Sequence, residues 1–123
     1  MKIFLALLLL AVAAPVFSQT DDPAKILYDS GTRDESAGRL DRAKLTLLTL
    51  AATYPESPFT AKVKVELGAL YLLMEGRSQV QAGQTRAAAV TFRTVSEVYP
   101  ESPLAKVAEH DAQALGIVLD PKR

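Results

Sequence analysis

The chain has 123 residues, 49% of them hydrophobic, which suffices for one packed domain and not for two. Lys plus Arg and Asp plus Glu each number 14, so there is none of the cationic excess that phosphate-backbone binding needs, and nucleic acid is not an expected partner. With no cysteine and one histidine, the chain cannot build a thiolate zinc site, a disulfide framework, a cysteine nucleophile or a two-histidine metal motif; no cofactor or metal is expected.

Met1 and Lys2 open the sequence, and Ile3 to Val12 form an unbroken apolar run that ends shortly before Pro15. This pattern reads as a signal peptide over residues 1–18, with cleavage after Ser18, because the run falls short of the roughly 20 apolar residues of a spanning helix. No cysteine is available to carry a lipid. The expectation is therefore a periplasmic or secreted protein with no membrane span in its mature chain. Removing residues 1–18 takes away Lys2 and no acid, so the formal charge moves only from 0 to −1. Residues 19–22 form a short N-terminal segment, 23–116 the domain and 117–123 a tail.

Within the domain, the pentapeptide Tyr54-Pro55-Glu56-Ser57-Pro58 returns 45 residues later as Tyr99-Pro100-Glu101-Ser102-Pro103. At the same offset Gly38 matches Gly83, Ala43 matches Ala88, Thr46 matches Thr91, Thr49 matches Thr94 and Leu70 matches Leu115. A period in this range signals stacked helical hairpins. Each pentapeptide is helix punctuation: Pro55 and Pro100 stop one helix, Ser57 and Ser102 cap the next, and Pro58 and Pro103 take its first position, where no amide donor is missed. Upstream, Ala43, Leu47, Leu50 and Tyr54 lie on one helical stripe, and Ala88, Phe92, Val95 and Tyr99 repeat it. The marks predict helices over 23–37, 41–53, 58–75, 84–98 and 103–116. Residues 76–83, polar and weakly patterned, read as a loop insertion, with extra turns on the third helix as the alternative that Gly76 disfavours by about 1 kcal/mol.

This arrangement resembles the tetratricopeptide repeat. The first unit supplies Gly31, Gly38, Ala43, Leu47 and Pro55; the second supplies Gly68, Tyr71, Gly83, Ala88, Phe92 and Pro100, with eight more residues between its first glycine and its proline. The helix from Pro103 resembles the first half of a third unit. The resemblance implies an all-α fold of about two and a half hairpins stacked as a short right-handed solenoid. The Tyr-Pro-Glu-Ser-Pro junction is similar to that of bacterial envelope repeats, such as the lipoprotein subunit of the outer-membrane β-barrel assembly machinery and the periplasmic coordinator of the Tol-Pal system.

No residue pattern points to catalysis. Glu109-His110-Asp111 is the one place where the histidine meets carboxylates, but adjacent helical residues project in different directions. In repeats of this kind the first helices line a groove that takes a protein or peptide partner. Here they would offer Lys25, Tyr28, Thr32, Glu35, Lys62, Glu66, Ala69, Leu73 and His110; read blandly, these are ordinary helix surface. Leu67 to Met74 is apolar all round, as in a buried helix, and some of it is expected to be covered by self-association or a stable partner. The functional expectation is a binding scaffold or adaptor in the cell envelope. An accessory role in an outer-membrane assembly or cell-division complex is the alternative, and a small ligand-binding or enzymatic domain the more distant one.

Overall fold

Helix starts in this chain follow one chemical rule, visible in a computed structural model that describes residues 22–116. A short polar side chain followed by proline opens α1 (Pro23–Ser36), α3 (Pro58–Gln81) and α5 (Pro103–Ala114). Asp22 Oδ1 accepts from the amide of Ala24 at 3.0 Å, Ser57 Oγ from Phe59 at 3.1 Å and Ser102 Oγ from Leu104 at 3.1 Å. Each bond satisfies an amide that the helix leaves without a partner, worth about 1 kcal/mol. The second helix of each hairpin, α2 (Leu40–Thr53) and α4 (Thr85–Val98), starts instead after a tight turn. Gly38 and Gly83 take the turn at φ of 78° and 79°, a region costly for side chains with a Cβ.

The described residues are all helical, with five helices and no strand, arranged as a short tetratricopeptide-like solenoid. Residues 1–21 and 117–123, which carry the signal-peptide reading, most of the short N-terminal segment and the tail, lie outside the described residues. The expected helices are present with ends shifted by one or two residues, except the third.

Residues 76–81 are not a loop insertion: α3 continues without a break to Gln81. The reason is packing. A Cβ on Gly76 would stand 2.7 Å from Cδ1 of Phe92, so the ring of α4 occupies the space that a side chain would need. In the first hairpin the same notch is made by Gly31, whose Cβ would stand 2.6 Å from Cδ2 of Leu47. Gly31 and Leu47 lie 45 residues before Gly76 and Phe92. The repeat counterpart of Gly31 is therefore Gly76 and not Gly68, and the apparent excess of eight residues disappears. The 45-residue offset carries α1 onto residues 68–81, α2 onto α4, and the start of α3 onto the start of α5.

The extra turns of α3 also hold the tertiary structure. Arg77 Nε meets Asp111 Oδ2 on α5 at 2.7 Å, and Thr91 Oγ1 on α4 donates to Gln79 Oε1 at 2.7 Å. One core joins Leu40 and Ala43 to Ala69, Leu70, Leu73, Ala88, Phe92, Val95, Leu104 and Ala108; a second gathers Ala24, Leu47, Leu50 and Val63, and Leu67 packs against both. The apolar stretch 67–74 is thus largely consumed inside the chain, with Tyr71 its exposed member.

The glycine notch gives a test with a sign. Gly76→Ala should destabilise the protein in urea unfolding, because displacing a packed ring costs about 1–3 kcal/mol and the gain in helix propensity returns about 1. In a Phe92→Val background the same substitution should become stabilising. The same sign in both backgrounds would show that the ring is not what requires the glycine.

Candidate functional site

The first helices α1, α3 and α5 converge on one side of the molecule, and α1 touches both α3 and α5. The face expected to be an open groove is therefore partly closed by its own helices. Eight of the nine candidate residues divide into three groups as a result, and His110 stands apart from them.

Ala69 and Leu73 have no exposed surface; they belong to the core that α3 shares with α2, α4 and α5, so no partner can touch them in this fold. Both fall on the inner stripe of α3, which an all-apolar sequence left undefined. Lys25, Tyr28, Thr32 and Lys62 remain at or near the surface. Tyr28 stacks at a tilt against Phe59, ring centroids 5.4 Å apart, and Lys62 Nζ stands 5.9 Å from the Tyr28 centroid and 5.3 Å from that of Phe59. Burial, then the charges of Glu66 and Glu35, holds the Tyr28 hydroxyl above its ordinary proton affinity. Lys25 is bridged to Asp29 one turn on, at 2.7 Å, and this bond raises its pKa. Thr32 Oγ1 donates back to the Tyr28 carbonyl at 3.1 Å, which leaves it little to offer a ligand. Phe59 is the residue that sequence reading missed. It stands directly after the Ser57-Pro58 helix start, where the sequence reads only as punctuation, and it forms half of the aromatic pair.

Glu35 and Glu66 form the third group. Glu35 is 0% exposed and Glu66 7%, so they are interior groups rather than groove surface. Neither oxygen of Glu35 receives a hydrogen bond from a conventional donor, while Glu66 Oε1 accepts one from Ser102 Oγ at 2.7 Å. Burial first, and then the charge and hydrogen bonding of Glu66, push the Glu35 pKa up to about 9. Burial beside a second carboxyl group thus favours the protonated form of Glu35, whose two oxygens face no cation or other partner.

His110 is exposed on α5, and neighbouring Asp111 is committed to Arg77, so Glu109-His110-Asp111 does not converge on a point. Among the described residues there is no cluster of three His, Cys, Asp or Glu side chains able to hold a metal ion, and no helix long and apolar enough to cross a membrane. An apolar cavity of about 330 Å³ opens between α4 and α5, floored by Phe92 and Ala112 and rimmed by Arg93, Glu97 and Glu109.

The hairpin stack, its glycine notches and its helix-ending prolines define a helical-repeat protein. Residues 70–102 match the family model of the tetratricopeptide repeat, a span running from the middle of α3 through α4 to the cap of α5. Neither a curated protein nor a solved structure matches the chain.

The Arg77–Asp111 bridge ties α3 to α5, and both partners keep some exposure, 38% and 19% at the side chains. Asp111→Asn should therefore cost no more than about 1 kcal/mol in thermal unfolding, and the loss should shrink in high salt. A loss that is large and independent of salt would mean that the bridge acts through packing instead.

Proposed function

We propose that this protein is an exported repeat adaptor, which holds a protein partner in the bacterial cell envelope and has no catalytic role. The match of residues 70–102 to a tetratricopeptide repeat carries this reading, since repeats of this class serve protein–protein interaction. Export rests on the signal-like pattern of residues 1–18, and the envelope on the Tyr-Pro-Glu-Ser-Pro junctions. The docking surface is the exposed edge of α1 and α3. There the Tyr28–Phe59 pair offers an apolar platform and Lys62 a cation above it, which suits a peptide with an apolar side chain beside a carboxylate. The repeated junction also favours a second reading, in which the adaptor is an accessory of an outer-membrane assembly or cell-division complex.

The test uses the tagged chain crosslinked in its native envelope. One partner should be recovered with the parent, and binding should fall at least tenfold when Lys25→Ala, Tyr28→Leu and Lys62→Ala are combined, with the melting temperature within a few degrees of the parent. Unchanged affinity would remove this surface. An activity lost in His110→Ala with folding intact would replace the adaptor by an enzyme or ligand-binding domain.

A further inference from the structure

The 45-residue period allows the two contacts between successive first helices to be compared position by position. Asp111 on α5 is the counterpart of Glu66 on α3, and Arg77 on α3 is the counterpart of Thr32 on α1. In the α3–α5 contact the acid is neutralised by the arginine. In the α1–α3 contact the arginine is replaced by a threonine whose hydroxyl is turned to its own backbone, and the group that meets Glu66 is a second carboxyl, Glu35. One interface carries a salt bridge, and its repeat-equivalent carries two buried acids.

Every element around the pair bears on its charge. From α1 come Glu35 and the half-buried Tyr28; from α3, Glu66; from the cap of α5, the Ser102 hydroxyl, which donates to Glu66 and accepts from Leu104 N. Where α1 turns into α2, Asp34 of α1 and Arg39 before α2 are bridged to each other at 2.9 Å, and Lys62 on α3 faces the aromatic rings. Every influence on Glu35 favours its protonated form.

We propose that the buried carboxyl of Glu35, without a cation and set beside Glu66, is a latch that keeps α1 seated on α3 and α5 while it holds its proton, so that this face is closed in acid and opens as pH rises. Loss of the proton leaves two carboxylates at close quarters in a dry site, an arrangement whose repulsion and desolvation are relieved when α1 moves out and Glu35 is hydrated. Because Ser102 both orients Glu66 and caps α5, the start of α5 responds with α1.

The sign follows from linkage. Glu35 titrates near 9 in the closed protein and near its ordinary value of 4.5 when hydrated, so the closed form holds one more proton between those limits. Its stabilisation is fully present below about pH 4.5 and declines as pH rises, and the decline is complete above about pH 9. Across that window the ratio of open to closed molecules should rise by about tenfold per pH unit.

The chain has no cysteine, so Arg33→Cys on α1 and Lys106→Cys on α5, both at exposed positions, admit a spin-label pair across the closed contact. In the otherwise unaltered chain the label separation should widen between pH 6 and pH 10, and urea unfolding should show the uptake of one extra proton by the folded state. Glu35→Gln should flatten both profiles. Should that variant not fold, Glu66→Gln serves, since its amide can donate to Glu35 and removes the like charge. Thr32→Arg, which restores the cation of the other interface, should move the opening to higher pH or abolish it. A separation constant to pH 10 would overturn the latch even if stability falls, because the pair would then be only a global determinant of folding. A pH profile as steep in Glu35→Gln as in the parent, or one that extends to as high a pH in Glu66→Gln, would overturn it as well.

Discussion

Two glycines set how closely the helices of each hairpin approach, and the rest of the structure depends on that approach. Where Gly31 meets Leu47 and Gly76 meets Phe92, a side chain of one helix lies directly on the backbone of the other. The short distance lets Ala43 and Ala88 close against their neighbours, and it fixes the tilt at which the next first helix is laid down. A close approach made by glycine is rigid in one respect: the large partner cannot retreat into a core packed at crystal-like density. Hairpin geometry is thereby copied from unit to unit, and the 45-residue offset that governs the sequence also governs the helix ends.

That dependence explains which parts of the fold were legible in the sequence. The two Ser-Pro steps announced α3 and α5 because capping and proline chemistry are local, and the two turn glycines marked the hairpin turns before α2 and α4 for the same reason. The length of α3 was not legible by the same means. Helix propensity counts Gly76 as a break, and the polar residues around it suggest solvent, whereas the helix is sustained by Phe92, Thr91 and Asp111 brought in from α4 and α5. Gly68, which also faces a close neighbour in Tyr99, offered a plausible but wrong counterpart to Gly31. The offset of 45, applied to the glycines as strictly as to the pentapeptides, points to Gly76.

The candidate surface was read with mixed success for a related reason. Helical spacing tells which residues share a face, but not how much of that face a later helix will cover. Ala69 and Leu73 lie in the core that α3 shares with α2, α4 and α5, and Glu35 and Glu66 lie under the contact of α1 with α3 and α5. An acid at an amphipathic position reads as solvated, and only the assembled structure reveals that two have been enclosed without a cation. What survives at the surface, Tyr28, Phe59 and Lys62, is smaller than a full groove and has a more definite chemistry: a tilted aromatic pair under one ammonium group.

The contact between α1 and α5 changes the mechanics of the array. Helical repeats commonly behave as a row, in which each unit leans only on the next and the ends fray first. Here the first described helix rests on the last, while α2 and α4 do not touch each other and α3 borders every other helix. The connectivity is that of a wheel with α3 as its hub. Neither end is a free terminus in the mechanical sense: when α1 leaves its seat on the hub, α5 loses a neighbour with it, and a change at the start of the chain is felt at its far end without passing through α2 or α4.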